Sequence, residues 1–334
     1  MRFPATAILL GAAATSSFAN PPGLHDRDVE TLSKRHNQFW PDPDVYPDEV
    51  PEHPPKVYAM LLFPTFDMID VFGPIDALNI LSKISYQMTL YLVAETMDPV
   101  STAPLNMTKD NPLNSSFFPT VNPTHTFGDV PDDVDVVIVP GGPGVRQPAG
   151  IAPVQEWLRK VFTGPSRPKH LLTICTGAGL VAETGLLDGK RATTNKFGWA
   201  GMLEMGPNVT WVSPARFVRD EYIWSSSGVT AGLDLIFEFI KVEYSAYKAT
   251  RISGIIEHDL LPADEDNWAD IWNVAATGGI VGPDGFVADG CDDDGRLAAT
   301  TTACPPHPTD EQPEKRGSAG SSWFHGFQGA IGFF

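Results

Sequence analysis

The chain has 334 residues, 42% of them hydrophobic, with a formal net charge of −18. That length holds one large domain or two small ones with a sizeable core. The charge argues against nucleic acid as a partner, because phosphate binding needs clustered Lys and Arg.

Met1-Arg2 is followed by an apolar run from Ala5 to Ala14 and then by Ser17 and Ala19, small residues that fit signal-peptidase cleavage before Asn20. The run is too short for a permanent membrane anchor. Residues 1–19 therefore read as a signal peptide of a secreted or secretory-pathway protein. Sequons at Asn106, Asn114 and Asn208 are glycosylation candidates that agree with export. Residues 20–55 are rich in Pro, Asp and His without apolar periodicity. With the dibasic pair Lys34-Arg35 they read as a pro-segment or as a linker, and both readings stay open.

From Lys56 the pattern becomes α/β. Val57 to Phe63 reads as a buried strand. Phe66 to Leu81 reads as a loop and helix, with Gly73-Pro74 in a first helical turn. Met88 to Ala94 is a second strand, and 98–128 is a long excursion or hairpin. Val134 to Val139 is a third strand, ending in Pro140-Gly-Gly-Pro-Gly144, and Val154 to Phe162 a short helix. His170 to Ile174 is a strand that stops at Cys175, after which Thr176 to Gly185 opens a helix. Val209 to Val212 and Phe217 to Trp224 read as short strands. Gly228 to Tyr244 and Ala246 to His258 read as helices. Strands alternating with helices predict a mostly parallel, doubly wound sheet with helices on both faces, in one domain over 56–275. Residues 276–334 read as an irregular tail, in which Cys291 and Cys304 are a disulfide candidate.

Cys175 carries the strongest chemical signal. A strand that ends at one reactive residue, followed by small residues opening a helix, is the pattern of a nucleophile elbow. The helix N-terminus favours negative charge there, which predicts a thiol pKa lowered by one or more units. Open α/β sheets gather their sites at the carboxyl ends of the strands. Those ends carry Asp67 and Asp70, Gly141, Gly142 and Gly144, and Cys175. Asp70 reads either as a helix cap or as an acid facing the thiol. Asp67 reads as a loop or capping residue. Gly141 to Gly144 read either as a tight turn or as backbone N–H groups approaching a substrate. His125, His170 and His258 read as surface or structural residues, and no cluster has metal-ligand spacing.

Ile69 to Pro74, Val137 to Gly144, Ile174 to Ala178, Gly185 to Thr194 and Ser226 to Asp234 together resemble the DJ-1/PfpI superfamily, and within it the isonitrile hydratase branch and its fungal relatives. The resemblance covers about 56–270. It implies a flavodoxin-like, class I glutamine amidotransferase-like fold, commonly as a homodimer. It implies Cys175 as nucleophile, Asp70 as the acidic residue facing it, Thr176 as an assisting hydroxyl, and Gly142 with its neighbours as an oxyanion-type site. The activity implied is addition of water to a small carbon–nitrogen substrate through a Cys175 thioimidate, with no cofactor. One departure is visible. Many relatives with an Ala-Thr-Thr segment continue with His, whereas Ala192-Thr-Thr194 continues with Asn195. Asn cannot act as a base, which argues against a Cys-His hydrolase or a glyoxalase-like enzyme. A non-catalytic ligand binder or a redox sensor working through Cys175 also remains open.

Overall fold

The computed structural model describes residues 51–288. Residues 1–19, Lys34-Arg35, Cys291 and Cys304 lie outside the described residues. The elements in chain order begin with β1 (Val57–Leu61), α1 (Met68–Ile84), β2 (Thr89–Ala94), β3 (Val100–Ser101), β4 (Thr120–Val121) and β5 (His125–Thr126). Then come β6 (Val136–Val139), a 3-10 turn at Pro143–Arg146, α2 (Pro148–Thr163), β7 (His170–Thr173), α3 (Gly177–Ala182), β8 (Arg191–Ala192), α4 (Trp199–Met205) and β9 (Thr210–Trp211). The described part closes with β10 (Phe217–Asp220), β11 (Ile223–Ser226), α5 (Val229–Glu243), α6 (Ala246–Ile256), α7 (Trp268–Ile271), β12 (Ile280–Val281) and β13 (Val287–Ala288).

The central sheet has the order β10-β11-β7-β6-β1-β2-β5. Every neighbouring pair is parallel except β10 with β11. This is the flavodoxin-like, doubly wound arrangement. The chain leaves β1 toward β2 through α1 and then returns to β6 on the other side of β1. Right-handed crossovers running in opposite directions place their helices on opposite faces of the sheet. Accordingly α1 packs with α5 and α6, while α2 packs with α3. Strands covered on both faces lose their polar alternation. Val136, Val137, Ile138 and Val139 of β6 are all buried, as are Tyr58 to Leu61 of β1.

Three local expectations change. Pro74 lies inside α1 rather than in its first turn. It has no N–H to give to the carbonyl of Asp70, four residues earlier. Phe217 to Trp224 is not one strand but a hairpin, which turns at Glu221 with a positive φ of 54°. The tail is not irregular from 276. Thr277 bridges to Ser213, and Ile280–Val281 pairs with Val287–Ala288, so the ordered domain runs at least to Ala288. The excursion over 98–128 does contain a hairpin, β3 with β4. Among the described residues no helix is long and apolar enough to cross a membrane.

Candidate active site

The order reversal at β1 leaves a crevice at the carboxyl ends of β1 and β6, the place where such sheets bind ligands. Three chain segments meet there. The β1–α1 loop brings Asp67 and the first turn of α1 brings Asp70, the β6 loop brings Gly141 and Gly142, and the end of β7 brings Cys175.

Cys175 occupies the left-handed region, with φ of 57°. A non-glycine residue there costs about 1–2 kcal/mol, which surrounding structure must offset. Part of the support comes from Thr194 Oγ1, which donates to the Cys175 carbonyl at 2.9 Å. The turn also requires Gly177, where a Cβ would meet the Pro140 and Val139 carbonyl oxygens at 2.6 Å. The thiol is free.

Cys175 is only 3% exposed, yet its sulfur is not packed in apolar side chains alone. One oxygen each of Asp67 and Asp70 and the sulfur lie within 4.8 Å of one another. The Thr176 backbone N–H and the Asn195 side-chain amide are the donors nearest the sulfur and favour its charged form. Asp70 is fully buried. Its Oδ2 accepts the Gly141 N–H at 2.8 Å. Its Oδ1 has no fixed partner, and the Cys175 thiol is a donor within reach of the carboxyl. Asp70 therefore does not cap α1, and it faces the thiol.

The electrostatics depart from the lowered thiol pKa that the elbow pattern predicts. Burial, then the charges of Asp70 and Asp67, push the Cys175 thiol well above its ordinary value, against the donors Thr176 and Asn195. α3 is only six residues long, so the favourable field at its N-terminus is small beside the desolvation. Burial, then the Asp67 charge, push the Asp70 carboxyl up to about 7. Asp67 is raised as well, by burial, with Arg146 on the 3-10 turn pulling it back. The resting pair is a thiol beside a carboxyl poised to exchange protons near neutral pH.

The glycines are committed differently from a ready-made cradle. Gly141 N–H goes to Asp70, Gly142 N–H to Thr176 Oγ1 at 3.0 Å, and Gly144 N–H to the Thr65 carbonyl at 3.3 Å. None of these N–H groups is presented free to a substrate in this state. What the glycines provide is close approach. A Cβ on Gly141 would meet Thr176 N at 2.7 Å and Cys175 Cβ at 2.9 Å, and one on Gly144 would meet the Pro64 carbonyl oxygen at 2.0 Å. Thr176 sits beside the sulfur, with its hydroxyl turned to the Gly142 backbone.

Sequence reasoning missed two members of this site. Asp67 occupies the N-cap position of α1, but its side chain makes no cap bond, and its carboxyl joins the cluster instead. The sulfur and the two carboxyl oxygens thus come within 4.8 Å of one another, a grouping that the spacing in the sequence does not announce. Asn195 appears in the sequence only as a missing histidine, yet its amide is a donor within reach of the sulfur. Its Oδ1 is held by the Gly198 N–H at 3.1 Å, which turns the amide nitrogen toward Cys175. The three histidines are engaged elsewhere. His125 lies edge-on to Tyr91, His170 pairs with Glu243 at the opposite end of β7, and His258 pairs with Asp234 at 3.0 Å. A cavity of about 370 Å³ lined by Phe63, Pro64, Val100 and Leu105 lies near the crevice but includes neither Asp70 nor Cys175.

Comparison with known proteins agrees with this geometry. Isonitrile hydratase of Pseudomonas putida is 32% identical over 180 residues, which are 53% of this chain and 67% of that protein. The HTH-type transcriptional regulator GbdR of Pseudomonas aeruginosa is 28% identical over 134 residues, 40% of this chain and only 35% of the regulator. The crystal structure of a ThiJ/PfpI family protein from Pseudomonas syringae superposes with a TM-score of 0.51 at 28% identity, over 66% of this chain and 83% of that one. The model of the DJ-1/PfpI family matches residues 56–242, a span that runs from β1 through the Cys175 elbow and nearly to the end of α5. By that match, and by the elbow, acid and glycine turn that it encloses, this chain belongs to the DJ-1/PfpI family.

Proposed function

We propose that the protein hydrates a small carbon–nitrogen substrate of the isonitrile type. The observation that carries this reading is the buried Asp70 carboxyl, raised to about 7 beside the Cys175 thiol. In the proposed cycle Asp70 takes the thiol proton as the sulfur attacks the terminal isonitrile carbon. The same proton then moves to that carbon, giving a thioimidate. Water adds to the thioimidate, the carbon–sulfur bond breaks, and an N-substituted formamide leaves with the thiol restored. An acid poised near the working pH suits both transfers. Thr176 and Asn195 stand where they can orient the reactants. The chemistry calls on no cofactor.

Two alternatives weigh less. A cysteine hydrolase or glyoxalase-like enzyme would use a histidine at the sulfur, and among the described residues the titratable cluster around Cys175 contains two carboxyls and no histidine. A redox sensor works through a low-pKa thiol, whereas burial pushes Cys175 the other way. The reading as a secreted glycoprotein is supported by Asn106, Asn114 and Asn208, all of which are exposed. A homodimer fits the exposed apolar face of α1, where Met68, Ile69 and Phe72 are open to solvent.

The decisive test is incubation of the purified protein with an aryl isonitrile. Formamide should appear with wild type and not with Cys175→Ala. Equal formamide from both proteins would refute the mechanism.

A further inference from the structure

Lys196 is buried, although it follows directly on Asn195, a residue of the site. Its side chain is 1% exposed, and its ammonium pairs with Asp266 Oδ2 at 3.0 Å, itself fully buried. It also donates to Thr193 Oγ1 at 3.1 Å, the Ala215 carbonyl at 3.0 Å and Ser227 Oγ at 3.0 Å. Asp266 is fixed in turn. It accepts the Ala215 N–H at 3.1 Å through Oδ2 and the Trp268 N–H at 3.1 Å through Oδ1. A lysine so placed ties together the 193–198 loop, the segment before β10, the end of β11 and the segment leading into α7.

Buried ion pairs contribute little net stability compared with apolar residues of similar volume, so their retention points to a geometric role. The residues just before Lys196 show what that geometry serves. Thr194 holds the Cys175 carbonyl, Thr193 N–H is fixed by Ser225 Oγ at 2.9 Å, and Asn195, its Oδ1 held by the Gly198 N–H at 3.1 Å, has its amide nitrogen within reach of the sulfur. We propose that the Lys196–Asp266 pair is the positioning element of the site, holding the 193–198 loop so that the Asn195 amide stays on the Cys175 sulfur. This inference rests on the reading of Cys175 as the working thiol. The charged groups facing that sulfur are Asp70 and Asp67 from α1, with Arg146 beyond Asp67. Both carboxyls oppose a thiolate. The donors that favour it are the Thr176 N–H and Asn195, and only Asn195 depends on a side-chain rotamer.

The test is the thiolate absorbance of the full chain at a fixed alkaline pH, read as the difference from Cys175→Ala. Asn195→Ala should carry about tenfold less thiolate, a shift of about one pH unit. Lys196→Met should lower it by a similar factor. Adding Lys196→Met to Asn195→Ala should lower it no further, because the lysine acts through the asparagine. A direct charge effect of Lys196 would instead multiply the two losses, and that result overturns the proposal. So does an unchanged signal in folded Lys196→Met. If Lys196→Met does not fold, Asp266→Asn takes its place in the same comparison with the same two outcomes. The absorbance reads the sulfur whether or not isonitriles turn over. An inactive wild type with the expected cycle would therefore sink the hydration reading and still support this one.

Discussion

Asp70 and Gly141 are joined across the switch point of the sheet: the Gly141 N–H donates to Asp70 Oδ2 at 2.8 Å, which leaves Oδ1 free of a fixed partner beside Cys175. The bond orients the carboxyl without consuming the oxygen that takes a proton.

Asp70→Asn separates those two jobs. The amide oxygen can still accept from Gly141, but the side chain can no longer carry the thiol proton. Formamide production should fall about 10²- to 10⁴-fold, the usual contribution of a positioned acid or base, with far-ultraviolet circular dichroism unchanged. A loss under threefold would remove Asp70 from the mechanism.

The same variant has a stability signature. The folded Asp70 pKa of about 7 lies above the ordinary carboxyl value of 3.8, so the folded state binds more protons than the unfolded chain between those values. Stability from this group is therefore present at low pH and lost as pH rises through about 7. The half-buried Asp67, raised in the same direction, adds to the trend. Asp70→Asn should melt above wild type at pH 8, with the gap closing toward pH 5. Parallel melting curves across that range would contradict the raised pKa.

Gly141 leaves no room for a side chain. In Gly141→Ala the new Cβ would meet Thr176 N at 2.7 Å, which forces a backbone shift costing about 1–3 kcal/mol. Melting temperature should drop by several degrees, and turnover should fall with it. Gly201 in α4 is the control, since nothing lies within 4 Å of its added Cβ. Gly201→Ala should be neutral or stabilising by up to about 1 kcal/mol, because alanine favours a helix. Equal effects of the two substitutions would mean the glycine turn is not held against the elbow.

Phe197 and Trp272 form an edge-on pair with ring centroids 4.9 Å apart, and both are about half exposed. Phe197 lies two residues beyond Asn195, which makes the pair the candidate apolar contact for an aryl substituent on the substrate. Phe197→Ala should lower kcat/KM about tenfold for an aryl isonitrile and leave a small alkyl isonitrile nearly unchanged, the scale expected for one lost apolar contact. Equal losses on both substrates would place Phe197 outside the substrate path.

Much of the fold was legible because buried parallel strands write themselves as unbroken apolar runs, as Val136 to Val139 do. The elbow was legible for a similar reason: a strand that stops at Cys175 before Gly177 and Gly179 leaves few other conformations. The thiol's electrostatics were not. Burial and the approach of two carboxyls are properties of the assembled crevice, and Asp67 stands 108 positions from Cys175 in the chain. Asn195 was misjudged because a residue's inability to act as a base says nothing about its capacity to donate a hydrogen bond. The hairpin at Glu221 was hidden because no glycine marks its turn, the left-handed position being filled by a glutamate.

The two windings of the sheet have one more effect. Asp70 arrives on the crossover that leaves β1 in one direction, and Cys175 arrives after the crossover that returns in the other. The two side chains meet only where β6 lies between β1 and β7. A sheet lacking any one of those three strands therefore lacks the meeting of thiol and carboxyl that the finished one encloses.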